Sequence, residues 1–179
     1  MKGLILMSFN HIYCGNGKGK TTAALGLALR AAGADMNVHI IQFLKSSETA
    51  ELKSLSEIKN ISVARCSRGF GFTFQMTDEE RAEITKQHNK MLRDAEYLIS
   101  QGKIDMLILD EFLDAYSLGL VDRKLADSIA LRHYDSVELV ITGRDPSDEY
   151  LAEADYVSEI NSVKHPFEKG VQARKGIEY

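Results

Sequence analysis

Residues 14–33, CGNGKGKTTAALGLALRAAG, decide the fold that this sequence is expected to adopt. A glycine-rich turn runs directly into an alanine- and leucine-rich helical pattern. The turn matches the phosphate-binding loop G-x-x-x-x-G-K-[ST], except that Cys14 stands where the usual spacing has glycine and that Lys18 is an extra lysine inside the loop. A strand is predicted immediately before the turn. A strand, a glycine-rich turn and a helix, in this order, are the context in which such a loop binds phosphate.

The loop has the chemistry of an anion site. Glycines let successive backbone N–H groups face one anion, and the positive end of the following helix adds to the attraction. Lys20 supplies a full positive charge, and the hydroxyl of Thr21 is placed to bind Mg²⁺. The alternative is a glycine-rich turn with solvated lysines. The predicted nucleotide-binding residues are Gly15, Asn16, Gly17, Lys18, Gly19, Lys20, Thr21 and Thr22.

An acidic pair is predicted to complete the site. In MLILDEF, residues 106–112, apolar residues precede Asp110 and Glu111. Nucleotide loops of this type are paired with a carboxylate at the end of a neighbouring strand, where it helps to bind Mg²⁺. We therefore predict a metal site made of Thr21, Asp110 and Glu111, leaving open which carboxylate contacts the ion. The alternative is a solvated carboxylate pair at the start of a loop.

Arg144 ends the motif TGR after another predicted strand, which places it at the carboxyl edge of the sheet. Its guanidinium suits a phosphate or a carboxylate, and it is predicted to bind the nucleotide. On sequence alone a surface salt bridge is an equal alternative. Lys45 and the basic C-terminal segment, residues 164–179, either contact an anionic ligand or are solvated charges.

Short apolar runs alternate with helical patterns along the whole chain. This pattern predicts an α/β fold with a mostly parallel central sheet of about six strands and helices on both faces. Helices are predicted at 21–32, from 77 to about 101, at 122–132 and within 145–154. The predicted strands are His11 to Cys14, Val38 to Phe43, Ile61 to Cys66, Met106 to Asp110, Val137 to Thr142 and Tyr156 to Ile160.

The composition indicates one domain spanning residues 1–179. A net charge of -4 provides no general attraction to nucleic acid or to a membrane surface. Two cysteines without C-x-x-C spacing, and no signal-peptide or membrane-spanning pattern, predict a cytoplasmic protein. The histidine spacings do not fit zinc, and no nucleophile elbow or kinase H-R-D segment is present. We therefore expect chemistry on the nucleotide with a nucleophile from elsewhere.

Residues 68–74, RGFGFTF, place three aromatic rings in a loop. The loop either packs onto the core or forms an aromatic wall over a large flat ligand. The pattern alone favours the first interpretation.

Taken together, several segments in this order resemble the corrinoid adenosyltransferases of the CobA/BtuR type. The most specific parts are the loop GNGKGKTT and the ending VKHPFEKGVQARKGIEY. The segments IIQFLK and GFTF also match in order, while the strand ending in DE and the TGR motif, in LILDEF and VITGR, are generic support. The family's own loop has a residue other than glycine in its first position, so Cys14 is no departure from it. The resemblance covers nearly the whole chain.

This resemblance implies a RecA-like P-loop NTPase fold that binds ATP, Mg²⁺ and a reduced corrinoid, usually as a homodimer. It implies that cobalt(I) attacks the 5′ carbon of ATP, which lies reversed in the loop, and that tripolyphosphate leaves. A reduced flavin or flavoprotein is implied as electron donor. Many relatives have a longer, charged N-terminal arm that helps to cover the site. This sequence has only a short stretch before its first predicted strand, so we expect closure of the corrinoid pocket to differ from that in those relatives.

The resemblance also reverses the interpretation of the aromatic loop. Family members use this segment to displace the lower axial ligand of cobalt, which makes cobalt(II) easier to reduce. By position the residues are Phe72 and Phe74, with Phe74 in place of the family's tryptophan. An apolar ring is kept, but area and the indole N–H are lost. We therefore expect Phe72, Phe74 and Lys20 to serve catalysis.

Two other functions agree with the same motifs. One is a phosphoryl-transferring P-loop kinase or ATPase. The other is a corrinoid carrier or nucleotide-controlled regulator that binds both ligands without turnover.

Overall fold

The computed structural model describes residues 7–45, 49–66 and 76–177, and within these ranges six strands form one parallel sheet. The strand order across the sheet is β3-β2-β4-β5-β1-β6. This arrangement confirms the predicted α/β class and strand number. The strands are β1 (Asn10–Cys14), β2 (Val38–Gln42), β3 (Ile61–Arg65), β4 (Met106–Asp110), β5 (Glu138–Thr142) and β6 (Tyr156–Glu159).

Helices connect the strands. Four of the six lie where the sequence predicts them, whereas α2 and α4 were not predicted. A 3₁₀ turn, Pro166–Lys169, follows β6. The helices are α1 (Lys20–Gly33), α2 (Ala50–Ser56), α3 (Asp78–Ser100), α4 (Phe112–Ser117), α5 (Arg123–Ala130) and α6 (Asp148–Ala152).

The hydrophobic core consists of two clusters, one on each face of the sheet. Neighbouring residues on one strand point to opposite faces, so Ile40 packs in the cluster that contains the alanines of α1, while Ile41 packs in the cluster that contains residues of α3, α4 and α5. Both isoleucines are fully buried. Strands covered on both faces are largely apolar, and β4 accordingly begins with four apolar residues, while β2 buries His39 and Gln42 among its apolar residues.

The ends of the helices are set by local chemistry. Thr77 accepts a hydrogen bond from the backbone N–H of Glu80, whose carboxylate accepts one from the N–H of Thr77, so α3 begins with a complete capping box. Asp122 caps α5 through the N–H of Leu125. Helix α4 begins differently, because its N-cap Glu111 has a left-handed backbone with φ 59° and no side-chain cap.

All strands are parallel, so their carboxyl ends meet at one edge of the sheet, where open α/β folds bind ligands. Strand β5 lies between β1 and β4, which brings Cys14, Asp110 and Thr142 to this edge together.

Among the described residues, no helix combines the length and the apolar character needed to cross a membrane.

Candidate nucleotide-binding site

The phosphate loop, residues 15–22, runs from the end of β1 into the first turn of α1 and packs closely against the chain that leaves β6. The N–H of Gly17 donates to the carbonyl oxygen of Ile160 at 2.7 Å. A Cβ atom on Gly17 would lie 2.7 Å from that oxygen, and one on Gly15 would lie 2.5 Å from it. Gly15 and Gly19 also have φ values of 99° and 126°, which side chains rarely allow. The glycines are therefore required by contacts as well as by curvature.

Lys20 lies folded over the phosphate loop. Its ammonium donates to the carbonyl oxygens of Gly15 at 2.7 Å and Gly17 at 2.9 Å. Burial lowers the pKa of Lys20, and the nearby charge of Arg144 lowers it further. An anion in the loop would offset both effects, because it would give the ammonium a counter-charge.

Asp110 lies at the centre of the polar network and its side chain is 0% exposed. One carboxylate oxygen, Oδ1, accepts hydrogen bonds from the hydroxyls of Thr21 and Thr142, both at 2.8 Å. The other, Oδ2, accepts from Lys45 Nζ at 2.8 Å and from the amide of Gln42 at 3.3 Å. Thr21 and Asp110, two of the three residues predicted to bind the metal ion, are therefore in direct contact, which joins the phosphate loop to β4.

Lys45 is the main positive charge at this carboxylate. Besides Asp110, its ammonium donates to Thr21 Oγ1 at 3.2 Å and lies 3.5 Å from Glu111 Oε1. Burial alone lowers the pKa of Lys45, but the charges of Asp110 and Glu111 outweigh it, so that the pKa lies above its ordinary value. The ammonium is thus held in its charged form.

Glu111 faces the cleft beside Asp110. Its N–H donates to the hydroxyl of Thr142 at 2.9 Å, and this contact fixes the left-handed backbone. Burial raises the pKa of Glu111. The ammonium of Lys45 offsets this rise only in part, because the ammonium lies closer to Asp110 than to Glu111. The pKa of Glu111 therefore lies above its ordinary value.

Arg144 lies on the same edge of the sheet and is exposed. Its backbone N–H donates to the carboxylate of Asp114 at 3.1 Å. The preceding Gly143 has a φ of 150°, and a Cβ there would lie 2.6 Å from the side chain of Leu113. The turn after β5 is thereby pressed against α4, and the guanidinium lines the cleft with the phosphate loop.

The C-terminal segment closes one side of the site. Lys18 Nζ donates to the carbonyl oxygen of Ile177 at 3.0 Å, and Asn16 Oδ1 accepts from the N–H of Ser162 at 3.0 Å. The cleft, which is open to solvent on one side, has a volume of about 1220 Å³. Its lining combines the phosphate loop, the exposed face of α1, the acidic pair's Glu111 and the residues around 176.

These residues fit a magnesium ion. Mg²⁺ prefers oxygen ligands and is usually bound through one or two carboxylates together with substrate phosphates. Thr21 and Asp110 present a hydroxyl and a carboxylate in direct contact, and Glu111 is close by. The buried amide oxygen of Gln42, next to Asp110, has no hydrogen-bond partner among the described residues, so it is able to accept from a water on the ion.

The structure brings most of the predicted site residues together around one cleft, including exposed Thr22. Phe72 and Phe74 lie outside the described residues. The sequence left open whether Lys45 contacts a ligand or is a solvated charge, and Thr142 was not predicted as a residue of the site. A polar residue ending an apolar strand could have indicated Thr142, but the role of Lys45 depends on β2 lying beside β4.

Comparison with known proteins gives consistent results. The family model described as ATP:corrinoid adenosyltransferase BtuR/CobO/CobP matches residues 7–179. The chain is 34% identical over 172 residues to the corrinoid adenosyltransferase CobA of Salmonella typhimurium, covering 94% of this chain and 84% of that protein. It is 33% identical to the corrinoid adenosyltransferase of Pseudomonas aeruginosa over 170 residues, covering 94% of this chain and 82% of that one.

Among solved structures, the cytoplasmic domain of EssC is similar with a TM-score of 0.55 and 16% identity, over 94% of this chain and 34% of that chain. At this identity the likeness concerns the fold alone.

Proposed function

The chain belongs to the family of ATP:corrinoid adenosyltransferases BtuR/CobO/CobP, and from that premise we propose that it transfers the 5′-deoxyadenosyl group of ATP to the cobalt(I) of a reduced corrinoid. A bond forms between cobalt and the 5′ carbon, and the bond between that carbon and its oxygen breaks. The electron pair of the broken bond leaves on tripolyphosphate. The product is adenosylcobalamin or an adenosylated precursor.

The observation that carries this proposal is a phosphate loop whose cations face one cleft. Cobalt(I) is already a strong nucleophile, so the protein does not need to remove a proton. Its task is to stabilise the negative charge that gathers on the leaving triphosphate. Lys20, Lys18 and the backbone N–H groups of the phosphate loop supply positive charge where that group would lie.

Bound Mg²⁺ would neutralise part of the triphosphate charge. Thr21, Asp110 and Glu111 would hold it. Gln42 and Thr142 orient the carboxylate of Asp110 by hydrogen bonds, which keeps it directed at Thr21. Arg144, which lines the same cleft, is proposed to contact the nucleotide.

The size of the cleft supports two substrates. Its volume of about 1220 Å³ lies above the 300–1,000 Å³ that is usual for one small ligand. We propose that a triphosphate occupies the phosphate loop, that the adenosine 5′ carbon points outward to cobalt, and that Phe72 and Phe74 displace the lower axial ligand of the corrinoid.

A homodimer and a reduced flavin or flavoprotein donor are part of the same proposal. The exposed apolar side chains on β6 and after it favour self-association, since Val157 is 47% exposed, Val163 88% and Phe167 70%. We also place the protein in the cytoplasm, which is consistent with its two free buried cysteines.

An anaerobic assay tests the reaction. Purified protein is mixed with ATP, Mg²⁺ and chemically reduced cobalamin, and both products are identified. We expect a light-sensitive cobalt–carbon product and one tripolyphosphate per turnover, and neither product with Lys20→Ala.

The two alternatives give different results in this assay. Release of ADP without a cobalt–carbon product would indicate a phosphotransferase or ATPase. Tight corrinoid binding without ATP consumption would indicate a carrier or regulator. Either result would contradict adenosyl transfer.

A further inference from the structure

The ammonium of Lys45 lies among the oxygen atoms that are proposed to bind the metal ion. It is 2.8 Å from Asp110 Oδ2, 3.2 Å from Thr21 Oγ1 and 3.5 Å from Glu111 Oε1. Only 18% of the Lys45 side chain is exposed, so the ammonium is largely withdrawn from water. A cation of the protein itself therefore contacts all three proposed metal-binding residues.

This position is fixed by the backbone. The N–H of Phe43 donates to the carbonyl oxygen of Asp110 at 2.9 Å, which continues the pairing of β2 with β4. Leu44 then adopts a left-handed conformation with φ 58°, and its N–H donates to His88 Nε2 at 3.4 Å. The chain turns there, and Lys45 is directed back over the carboxylate.

The ring of His88 is itself oriented by a hydrogen bond to the backbone of Leu120. Its Nδ1 lies 2.8 Å from the carbonyl oxygen of Leu120, which must accept, so Nδ1 carries the proton and Nε2 accepts from Leu44. The side chain is fully buried and its ring packs edge-on against Phe43. His88 is thus a positioning residue for the turn that carries Lys45.

The charges do not favour an ammonium and a divalent ion at one point. With Lys45 in place, a divalent ion would bring the local positive charge to three against the two carboxylates of the acidic pair. The negative charges of a triphosphate would remove this excess and would offer the ammonium new oxygen partners. Metal binding is therefore disfavoured until the nucleotide is present.

We propose that Lys45 is a tethered cation that occupies the metal position in the nucleotide-free protein, so that the metal ion enters together with ATP and the ammonium moves to the phosphates. This step rests on the proposed use of Mg²⁺ and ATP. In this proposal Lys45 makes metal binding depend on ATP binding, and it also neutralises charge on the triphosphate.

The test measures metal binding without ATP or corrinoid. Mn²⁺ takes the oxygen ligands that Mg²⁺ takes and its free form is counted by electron paramagnetic resonance. We expect Lys45→Met to bind Mn²⁺ at least about tenfold more tightly than the unchanged protein, equivalent to about 1.4 kcal/mol. Lys53→Met is the matched control, since Lys53 is an exposed lysine on α2 that is not among the residues lining the cleft. It should bind Mn²⁺ as the unchanged protein does.

A double variant, Lys45→Met with Asp110→Asn, locates the ion and should lose the added affinity. Equal Mn²⁺ affinity in Lys45→Met and the unchanged protein would overturn the proposal, as would added affinity that survives in the double variant. If Lys45→Met does not fold, Lys45→Gln keeps a donor for Asp110 without the charge and is judged by the same tenfold criterion. Because no ATP or corrinoid is present, a failure of adenosyl transfer would leave this result unaffected.

Discussion

The contact between the phosphate loop and Ile160 gives a quantitative prediction for Gly17→Ala. The new methyl carbon would lie 2.7 Å from the carbonyl oxygen of Ile160 and 2.8 Å from the carbonyl carbon of Asn161. Both atoms belong to the backbone, so rotation of a side chain cannot relieve the overlap. The φ of Gly17 is not in the left-handed region, so the effect is due to space alone.

The expected size follows from two contributions. Overpacking a close contact costs about 1–3 kcal/mol, and losing the 2.7 Å hydrogen bond from Gly17 N–H to Ile160 costs about 0.5–1.5 kcal/mol. We therefore expect Gly17→Ala to lower the free energy of unfolding by about 2–4 kcal/mol. For a domain of this size each kcal/mol lowers Tm by about 2–4 °C. A fall of about 5–15 °C is expected.

Gly33→Ala is the control, because a Cβ at Gly33 meets nothing within 4 Å and the residue is the last in α1. Alanine is favoured over glycine in a helix by up to about 1 kcal/mol, so this variant should be as stable as the unchanged protein or slightly more stable. Thermal and urea unfolding measure both. If the free energy of unfolding of Gly17→Ala equalled that of Gly33→Ala, the conclusion that the loop packs closely against Ile160 would be wrong.

Three other predictions concern charge, the aromatic loop and pH. Lys20→Ala removes the ammonium that lies over Gly15 and Gly17. Because one charge-assisted contact is lost, we expect the affinity for ATP, measured by equilibrium dialysis, to fall at least about tenfold. An unchanged affinity would mean that the triphosphate binds elsewhere. Phe72→Ala should retain adenosylation of corrinoid supplied as cobalt(I) and slow reduction from cobalt(II), and equal loss in both assays would contradict ligand displacement. Burial lowers the pKa of His88 in the folded protein. As the pH falls below about 6.5, the unfolded state therefore binds a proton that the folded state does not bind. The free energy of unfolding should decrease by up to about 1.4 kcal/mol per pH unit because of this histidine. Urea unfolding at pH 7.5 and 5.5 should show a smaller loss for His88→Gln, and an equal loss would exclude His88 as a source.

The central strand β4 could be predicted because burial on both faces leaves an apolar run, whereas the exposed edge strand β6 was predicted from its position in the alternation of short apolar runs and helical patterns. The missed helices lacked such a signal. Helix α4 has six residues and starts at Glu111, whose left-handed backbone is imposed by the hydroxyl of Thr142 and not by a cap in the sequence. Tertiary contact, and not local propensity, determines that start.

The candidate site divides in the same way. Phosphate-loop residues are contiguous and carry their own spacing, so they were predicted from sequence. Lys45 and Asp110 are far apart along the chain, and they meet because β2 and β4 are neighbours with Gln42 opposite Asp110. No spacing rule encodes that pairing. It follows from the order of strands across the sheet.

The hydrogen bond between Gly17 and Ile160 also bears on biosynthesis. The phosphate loop leaves the ribosome early, whereas Ile160, Ser162 and Ile177, which hold it, are made after every strand of the sheet. Domains generally fold as units, so the loop cannot take its final shape until the end of the chain has been made. A stalled or cleaved chain that ends after β6 would thus lack the backbone groups that hold the phosphate loop.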